Sequence, residues 1–334
     1  VDQKELLSRM QPDIAKIDAA MRADIAGIAS PRLKEILAHA VLGGGKRIRP
    51  MLAVLAARLC GPPAPAGQGG MEPEVFRLAM GFEYLHSASL LHDDVIDRAE
   101  QRRGRATANA VWGNPGVILA GDFLHARAMQ LVGGLGGVRC LEILSRATIA
   151  MVEGEFLQAA IVQQQDFSET AYFQVLHGKT AALIGAACEV GALHAGGNEA
   201  QQQAMRAYGE HLGLAFQVVD DLLDYWGDPA STGKAVGNDL VEGKMTLPLL
   251  FTLAKAPVHE RERLLALLAG EPAARQAGLP GVRTLMEELG GPAYCRQQAE
   301  ALVGTARRQL LGFPESAALA VLEGLAGYVL TRRQ

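Results

Sequence analysis

Apolar residues recur at helical spacing along nearly the whole chain. Between residues 3 and 28, Leu6, Leu7, Met10, Ile14, Ile17 and Met21 stand among charged residues at the period of one buried helix face. Ser30-Pro31 reads as an N-cap followed by proline at the first helical position. The helix that follows carries Leu33, Ile36, Leu37 and Ala40 on one side and is predicted to stop at Gly43-Gly44-Gly45. Further helices are predicted from about Ile48 to Leu59 and from about Glu74 to Arg98, with a Pro/Gly-rich loop from Gly61 to Pro73 between them. A turn at Gln101 to Thr107 holds Arg102, Arg103 and Arg105. Beyond Gly113-Asn114-Pro115 the pattern resumes to about Val132, and the run Gly133 to Gly137 is expected to break the chain. Helices are then predicted at 139–164, 168–193 and 199–226, a loop from Gly227 to Asn238, and several shorter helices up to Arg333. No convincing period-two run, fixed-length repeat or domain-marking linker interrupts this order. The expectation is one all-α domain over residues 1–334.

Composition narrows the function without fixing it. The chain has 334 residues, 49% apolar and 20% charged, with a formal net charge of -4. That is enough apolar material for a sizeable core, and it lacks the basic excess of a dedicated nucleic-acid binder. Cys60, Cys140, Cys188 and Cys295 are far apart and form no CxxC pair, so neither a zinc site nor a disulfide framework is signalled. Reduced thiols of a cytoplasmic protein are expected. No signal-peptide pattern is evident at the N-terminus. The most apolar stretches, such as Thr180 to Cys188 and Ala317 to Leu322, fall short of the roughly 20 residues that span a bilayer, so no transmembrane segment is expected.

The chemistry concentrates in two stretches. Leu90-Leu91-His92-Asp93-Asp94-Val95-Ile96-Asp97 places carboxylates at i, i+1 and i+4 inside an apolar helical run. At about 3.6 residues per turn, Asp93 and Asp97 project from one face, where two like charges repel. The spacing recurs in Phe216-Gln217-Val218-Val219-Asp220-Asp221-Leu222-Leu223-Asp224. A single cluster is consistent with a solvated acidic face; two copies in two apolar helices call for a hard divalent cation such as Mg2+. That ion takes one or two protein carboxylates and completes its shell with water and phosphate oxygens, so a diphosphate is the expected ligand.

Basic groups complement the acids. Gly43-Gly44-Gly45-Lys46-Arg47-Ile48-Arg49-Pro50 sets Lys46 and Arg49 beside a glycine turn at a helix start, where backbone N–H groups favour anions. It is not a Walker motif. Arg102-Arg103-Gly104 follows the first acid cluster, Lys179-Thr180 lies in an apolar helix, and Lys234 and Lys244 flank Gly237-Asn238-Asp239. Taken singly, each reads equally well as a solvated or snorkelling charge. His86 lies two turns before Asp94 and suits a hydrogen bond to a second phosphate, whereas His92 reads as structural. No HExxH pair is present.

Taken together, GGGKRIRP, LLHDDVID with RRG after it, GKT, FQVVDDLLD and GNDLVEGKMTLP, in this order and spacing from about residue 30 to 250, resemble the trans-type polyprenyl diphosphate synthases, long-chain members such as octaprenyl diphosphate synthase included. The resemblance implies an all-α, single-domain helical bundle of the isoprenoid synthase type with a central cavity, assembled as a homodimer. It implies head-to-tail condensation of an allylic diphosphate with isopentenyl diphosphate. By this resemblance Asp93, Asp97 and Asp220 bind Mg2+, and Asp94, Asp221 and Asp224 act through water. Lys46, Arg49, His86 and Arg103 hold isopentenyl diphosphate. Arg102, Lys179, Thr180, Gln217, Lys234 and Lys244 hold the allylic diphosphate, with Lys179 and Lys234 counted among the catalytic groups. Arg332 and Arg333 match the family's basic C-terminus less specifically.

Product length is expected to be set on the first acidic helix. Ala88 and Ser89 lie five and four positions before Asp93; five residues are about 7.5 Å of helix. In the family, aromatic residues here stop the chain short, so Ala and Ser imply a product longer than geranylgeranyl diphosphate, such as a quinone side-chain precursor. Leu85 and Phe82 continue the stripe as a candidate floor. Shorter-chain synthesis remains the alternative. A class I terpene cyclase would carry an Asn/Asp, Ser/Thr, Glu motif where DDLLD stands. An HD-type phosphohydrolase would need further His ligands. A non-catalytic subunit tends to lose its aspartates, and both clusters are intact.

Overall fold

The computed structural model describes residues 3–62, 73–102, 104–164, 166–227 and 236–332. Arg103, Lys234 and Arg333 lie outside the described residues, as do most of the loops predicted at 61–73 and 227–238. Contacts divide the chain into two compact units: Val1–Ile149, Leu183–Gly209 and Gln309–Leu325 form the first, and Ala150–Ala182, Glu210–Arg308 and Ala326–Gln334 the second. The fold class is all-α in both.

The first unit opens with α1 (Gln3–Ala26), α2 (Pro31–Leu42), α3 (Ile48–Cys60) and α4 (Pro73–Ile96). Ser30 caps α2 by accepting a hydrogen bond from the Leu33 N–H at 3.4 Å, as its place before Pro31 predicts. Pro50 to Ala57 are all buried in α3, which sits at the centre of this unit. Gly191 approaches Ala53 so closely that a Cβ would overlap its carbonyl oxygen. Arg58 of α3 forks onto Asp13 of α1, one arm at 2.7 Å, and the Tyr84 hydroxyl donates to Asp24 at 3.0 Å beside Arg127.

Between α4 and α5 (Ala108–Trp112) runs a two-residue hairpin, β1 (Gln101–Arg102) paired with β2 (Arg105–Ala106). Periodicity did not predict it: Gly104, at φ +71°, turns the chain within two residues, too short a span for an alternating pattern. The expected break at Gly133 to Gly137 is also narrower than predicted. In α6 (Asn114–Gln164), Gly137 is the residue with non-helical angles, φ 76° and ψ -175°, so two helices meet at a kink.

The predicted helix at 168–193 is three segments: α7 (Glu169–Leu176), one π-helical turn (His177–Ala181) and α8 (Ala182–His194). In the second unit Gly154 and Gly178 face each other; a Cβ on Gly178 would come within 2.7 Å of the Ala150 carbonyl. Backbone therefore packs on backbone at the turn that carries Lys179. The helix α9 (Glu199–Trp226) has the predicted bounds. After it come α10 (Asn238–Glu242), α11 (Leu247–Lys255), α12 (Val258–Leu268), α13 (Pro272–Glu288), α14 (Gly291–Arg308) and α15 (Ala317–Thr331). Tyr225, Leu240, Leu249, Leu253, Val282 and Met286 form an apolar core under the end of α9. Among the described residues no helix is long and apolar enough to cross a membrane.

Candidate functional site

The first acid cluster lies at the C-terminal end of α4, which stops at Ile96 rather than at Arg98. Asp97 thus sits just past the helix, but its N–H still donates to the Asp93 carbonyl at 2.8 Å. Asp93 is half-buried and Asp97 exposed. Asp94 is buried and accepts from Arg102 Nε at 2.8 Å. A helix C-terminus carries roughly half a negative charge, and the last turn of α4 holds no basic residue. Three carboxylates here add to that potential instead of cancelling it, the reverse of what a helix end selects for its own stability. A cleft of about 500 Å³ at this end, bordered by Val95, Arg98, Glu100 and Asn109, includes none of the predicted site residues.

The same unit carries the glycine turn. Lys46 is exposed, Arg49 half-buried and Arg47 buried. Arg47 takes a left-handed conformation, φ +50°, a strain of roughly 1–2 kcal/mol for a residue with a Cβ. Its guanidinium donates to Asp18 at 2.8 Å, Glu83 at 2.9 Å and the Val41 carbonyl at 2.7 Å. Burial pulls its pKa down, but Glu83 and Asp18 outweigh burial and leave it above the ordinary arginine value. The hairpin joins this turn: Arg105 donates to the Gly43 carbonyl at 3.3 Å, and His39 meets the Ala106 carbonyl at 3.0 Å. Lys46, Arg49 and Arg102 are thereby held by segments that touch. His86 stands half-buried on α4, and its carbonyl accepts from the Ser89 hydroxyl at 2.9 Å. Of the residues expected to govern chain length, Phe82, Leu85 and Ala88 are fully buried and Ser89 is half-buried.

The second cluster lies at the C-terminal end of α9, again with no basic residue in the last turn. Each aspartate has its own anchor. Asp220 accepts from Arg332 at 3.1 Å, and that guanidinium stacks 3.9 Å from the Phe216 ring centroid. Asp221 accepts from the Tyr172 hydroxyl at 2.7 Å and from Gln217. Asp224 accepts from the Asp239 N–H at 3.0 Å. Burial, then Asp239 and Asp220, pushes Asp221 well above the usual carboxylate range, against the hydrogen bonds from Tyr172 and Gln217. Burial alone would lower Lys244, but Asp239 and Glu242, at 3.2 and 2.6 Å, hold it above the ordinary lysine value.

Lys179 and Thr180 occupy the π-helical turn. Lys179 Nζ lies 2.8 Å from Glu155 and 2.7 Å from Gln158, and Thr180 donates to Gln217 at 3.3 Å. Thr180, Gln217, Asp221 and Tyr172 therefore form one chain of hydrogen bonds leading to the second acid cluster. Sequence reasoning missed Arg47, Asp239, Tyr172, Glu155 and Gln158. Asp239 had a signal, an acid between Lys234 and Lys244, but nothing in the sequence ties it to Asp224. Among the described residues no three His, Cys, Asp or Glu side chains are gathered as a ready-made metal site.

Comparison with known proteins follows the same outline. A family model described as polyprenyl synthetase matches residues 30–279, a span that runs through both units. The octaprenyl diphosphate synthase of Haemophilus influenzae is 40% identical over 298 residues, 89% of this chain and 87% of that protein. The crystal structure of a decaprenyl diphosphate synthase from Rhodobacter capsulatus matches with a TM-score of 0.88 at 39% identity, covering 100% of both chains. That of a polyprenyl synthase from Caulobacter crescentus CB15, complexed with calcium and isoprenyl diphosphate, matches with a TM-score of 0.87 at 35% identity, over 99% of this chain and 98% of that one.

Proposed function

Because the chain belongs to the polyprenyl synthetase family, we propose that this trans-prenyltransferase condenses farnesyl or geranylgeranyl diphosphate head-to-tail with isopentenyl diphosphate. It repeats the addition to yield a long-chain all-trans polyprenyl diphosphate, a precursor of quinone side chains. The observation that carries the reading is the pair of carboxylate triads, each at the C-terminal end of a helix with no basic residue in its last turn. Such ends favour cations, and hard oxygen donors with few ligands per site suit Mg2+, which leaves coordination positions for phosphate oxygens. When bound, Mg2+ supplies charge that stabilises a departing diphosphate. Asp93, Asp97 and Asp220 would hold it, with Asp94, Asp221 and Asp224 acting through water.

The chain's own cations do the rest. Arg102, Lys179, Lys234 and Lys244, with Thr180 and Gln217, bind the allylic diphosphate and offset its charge as the C–O bond breaks. Lys46, Arg49, His86 and Arg103 hold isopentenyl diphosphate so that its double bond meets the allylic carbon. The motifs contain no dedicated general base, and the released diphosphate accepts the proton lost in the final step. The growing tail needs an apolar path that excludes water, and the proposal runs it along α4 past Ser89, Ala88, Leu85 and Phe82.

Residues 1–334 act as one catalytic domain in this reading, since the family match crosses both units. The proposal extends to a cytoplasmic enzyme that works as a homodimer. In the first unit Ile118, Leu119, Val138 and Ile149 expose apolar side chains along α6, a face that a second copy would cover.

Labelled isopentenyl diphosphate with farnesyl diphosphate and Mg2+, followed by chromatographic sizing, tests the reading. Prenyl diphosphates longer than geranylgeranyl are expected. Hydrocarbon formed from farnesyl diphosphate alone would replace this reading with a terpene cyclase.

The Arg332 contact yields a separate prediction. Its guanidinium holds the Asp220 carboxylate, so a metal that takes the same oxygen must displace it. Asp220 is 44% exposed, which limits such a pair to about 1 kcal/mol. Arg332→Ala is therefore expected to tighten substrate-free binding of Mn2+, used as a Mg2+ surrogate, by about fivefold. Titration followed by electron paramagnetic resonance checks this.

A further inference from the structure

We infer that Arg47 is a positioning residue for isopentenyl diphosphate: it fixes the glycine turn bearing Lys46 and Arg49 against the helix bearing His86. The inference rests on the function proposed above, which assigns those three residues to the isopentenyl diphosphate and gives Arg47 no role.

Lys46 and Arg47 are adjacent cations with opposite fates. Lys46 is exposed, whereas the Arg47 side chain is 4% exposed. A buried guanidinium persists only where charges and acceptors meet it, and here three do: Asp18 on α1, Glu83 on α4 and the Val41 carbonyl in α2. One side chain thus ties three helices to the turn that starts α3. The backbone is committed along with it. Gly44 and Gly45 have φ of +105° and +149°, and Arg47 itself has φ +50°. An L-residue keeps a left-handed conformation only where its surroundings over-determine it, and the fork onto Asp18 and Glu83 does so. Gly45 lies over the guanidinium, since a Cβ there would come 3.2 Å from Nη1.

Glu83 is what links this lock to function. It stands one helical turn before His86 on α4. The Arg47–Glu83 bond therefore sets the register between the turn that carries Lys46 and Arg49 and the helix that carries His86. Arg105 grips the other end of the turn at the Gly43 carbonyl. An anion held by groups from two elements is sensitive to small displacements between them, and about 1 Å of misplacement can cost up to 100-fold.

Steady-state kinetics of the full-length enzyme with both substrates varied tests this, using Arg47→Lys, Glu83→Gln and Lys46→Ala. Arg47→Lys keeps the charge and loses the fork. It is expected to raise the KM for isopentenyl diphosphate about tenfold while the KM for farnesyl diphosphate and kcat stay within about twofold. Glu83→Gln retains one acceptor and is expected to raise the same KM about threefold. A structural role alone would lower the melting midpoint and reduce kcat/KM for both substrates equally; that result, or unmoved KM values, overturns the inference. If Arg47→Lys does not fold, Glu83→Gln decides by the same criterion, and failure of both to fold makes the network merely structural. Lys46→Ala separates the two levels. Should it leave the isopentenyl diphosphate KM unmoved, the assignment of the turn falls and the inference with it. Should Lys46→Ala raise that KM while the other two variants do not, the inference alone falls.

Discussion

Asp93→Asn and Asp220→Asn are each expected to lower the condensation rate at saturating substrates by about 1,000-fold or more, measured as incorporation of labelled isopentenyl diphosphate. Asparagine keeps the shape and removes the charge. Loss of one preorganised electrostatic partner costs about 100- to 1,000-fold in other enzymes, and a metal ligand that also places the leaving group should exceed that range. The accompanying sign in stability distinguishes a functional carboxylate from a structural one. Asp97 is exposed just beyond α4 and adds negative charge where the helix is already negative. Asp97→Asn should therefore raise the melting midpoint of the chelator-treated protein by the equivalent of a few tenths of a kcal/mol, while activity falls. Asp220→Asn should not share the gain, because it takes away the carboxylate that Arg332 pairs with. Retention of a tenth or more of wild-type activity in both Asp93→Asn and Asp220→Asn would remove the basis for a metal-bridged diphosphate.

These carboxylates were legible in the sequence because their signal is local. An i, i+1, i+4 spacing within an apolar run needs no tertiary knowledge, and its repetition in α4 and α9 marked both ends. The helices themselves were legible for the same reason. What failed were features set by a single residue or by distant contacts. Gly137 bends α6 through one pair of dihedral angles, whereas four glycines in the run all looked like breakers. The π turn at His177–Ala181 inserts into a continuous apolar pattern and leaves no mark on periodicity. Arg47 and Lys46 are indistinguishable as neighbouring cations; what separates them is Asp18 and Glu83, 29 and 36 positions away. Tyr172 reaches Asp221 across 49 positions. The two carboxylate triads could be read from spacing, whereas the side chains that hold them could not, because those contacts depend on partners that only the fold brings near.

The same distinction governs the choice of substitution for product length. Sequence alone makes Ala88 and Ser89 equivalent, since both are small and both lie just before Asp93. In the structure Ala88 is 0% exposed, whereas Ser89 is half-buried and its hydroxyl donates to the His86 carbonyl one turn back. A ring placed at Ala88 must enter a packed interior, at a cost of about 1–3 kcal/mol. A ring at Ser89 starts from a position already open on one side. Both stand about 6–7.5 Å along the helix from Asp93, so both should obstruct a tail that runs down this face of α4. Ser89→Phe is therefore expected to shift the product to shorter chains with a melting midpoint near wild type. Ala88→Phe should shorten it too, but with a clearly lowered midpoint. Product sizing and thermal melts on the two variants read both effects. If neither variant changes chain length while both remain folded and active, the tail does not run along α4, and the limit on elongation must be sought on another helix.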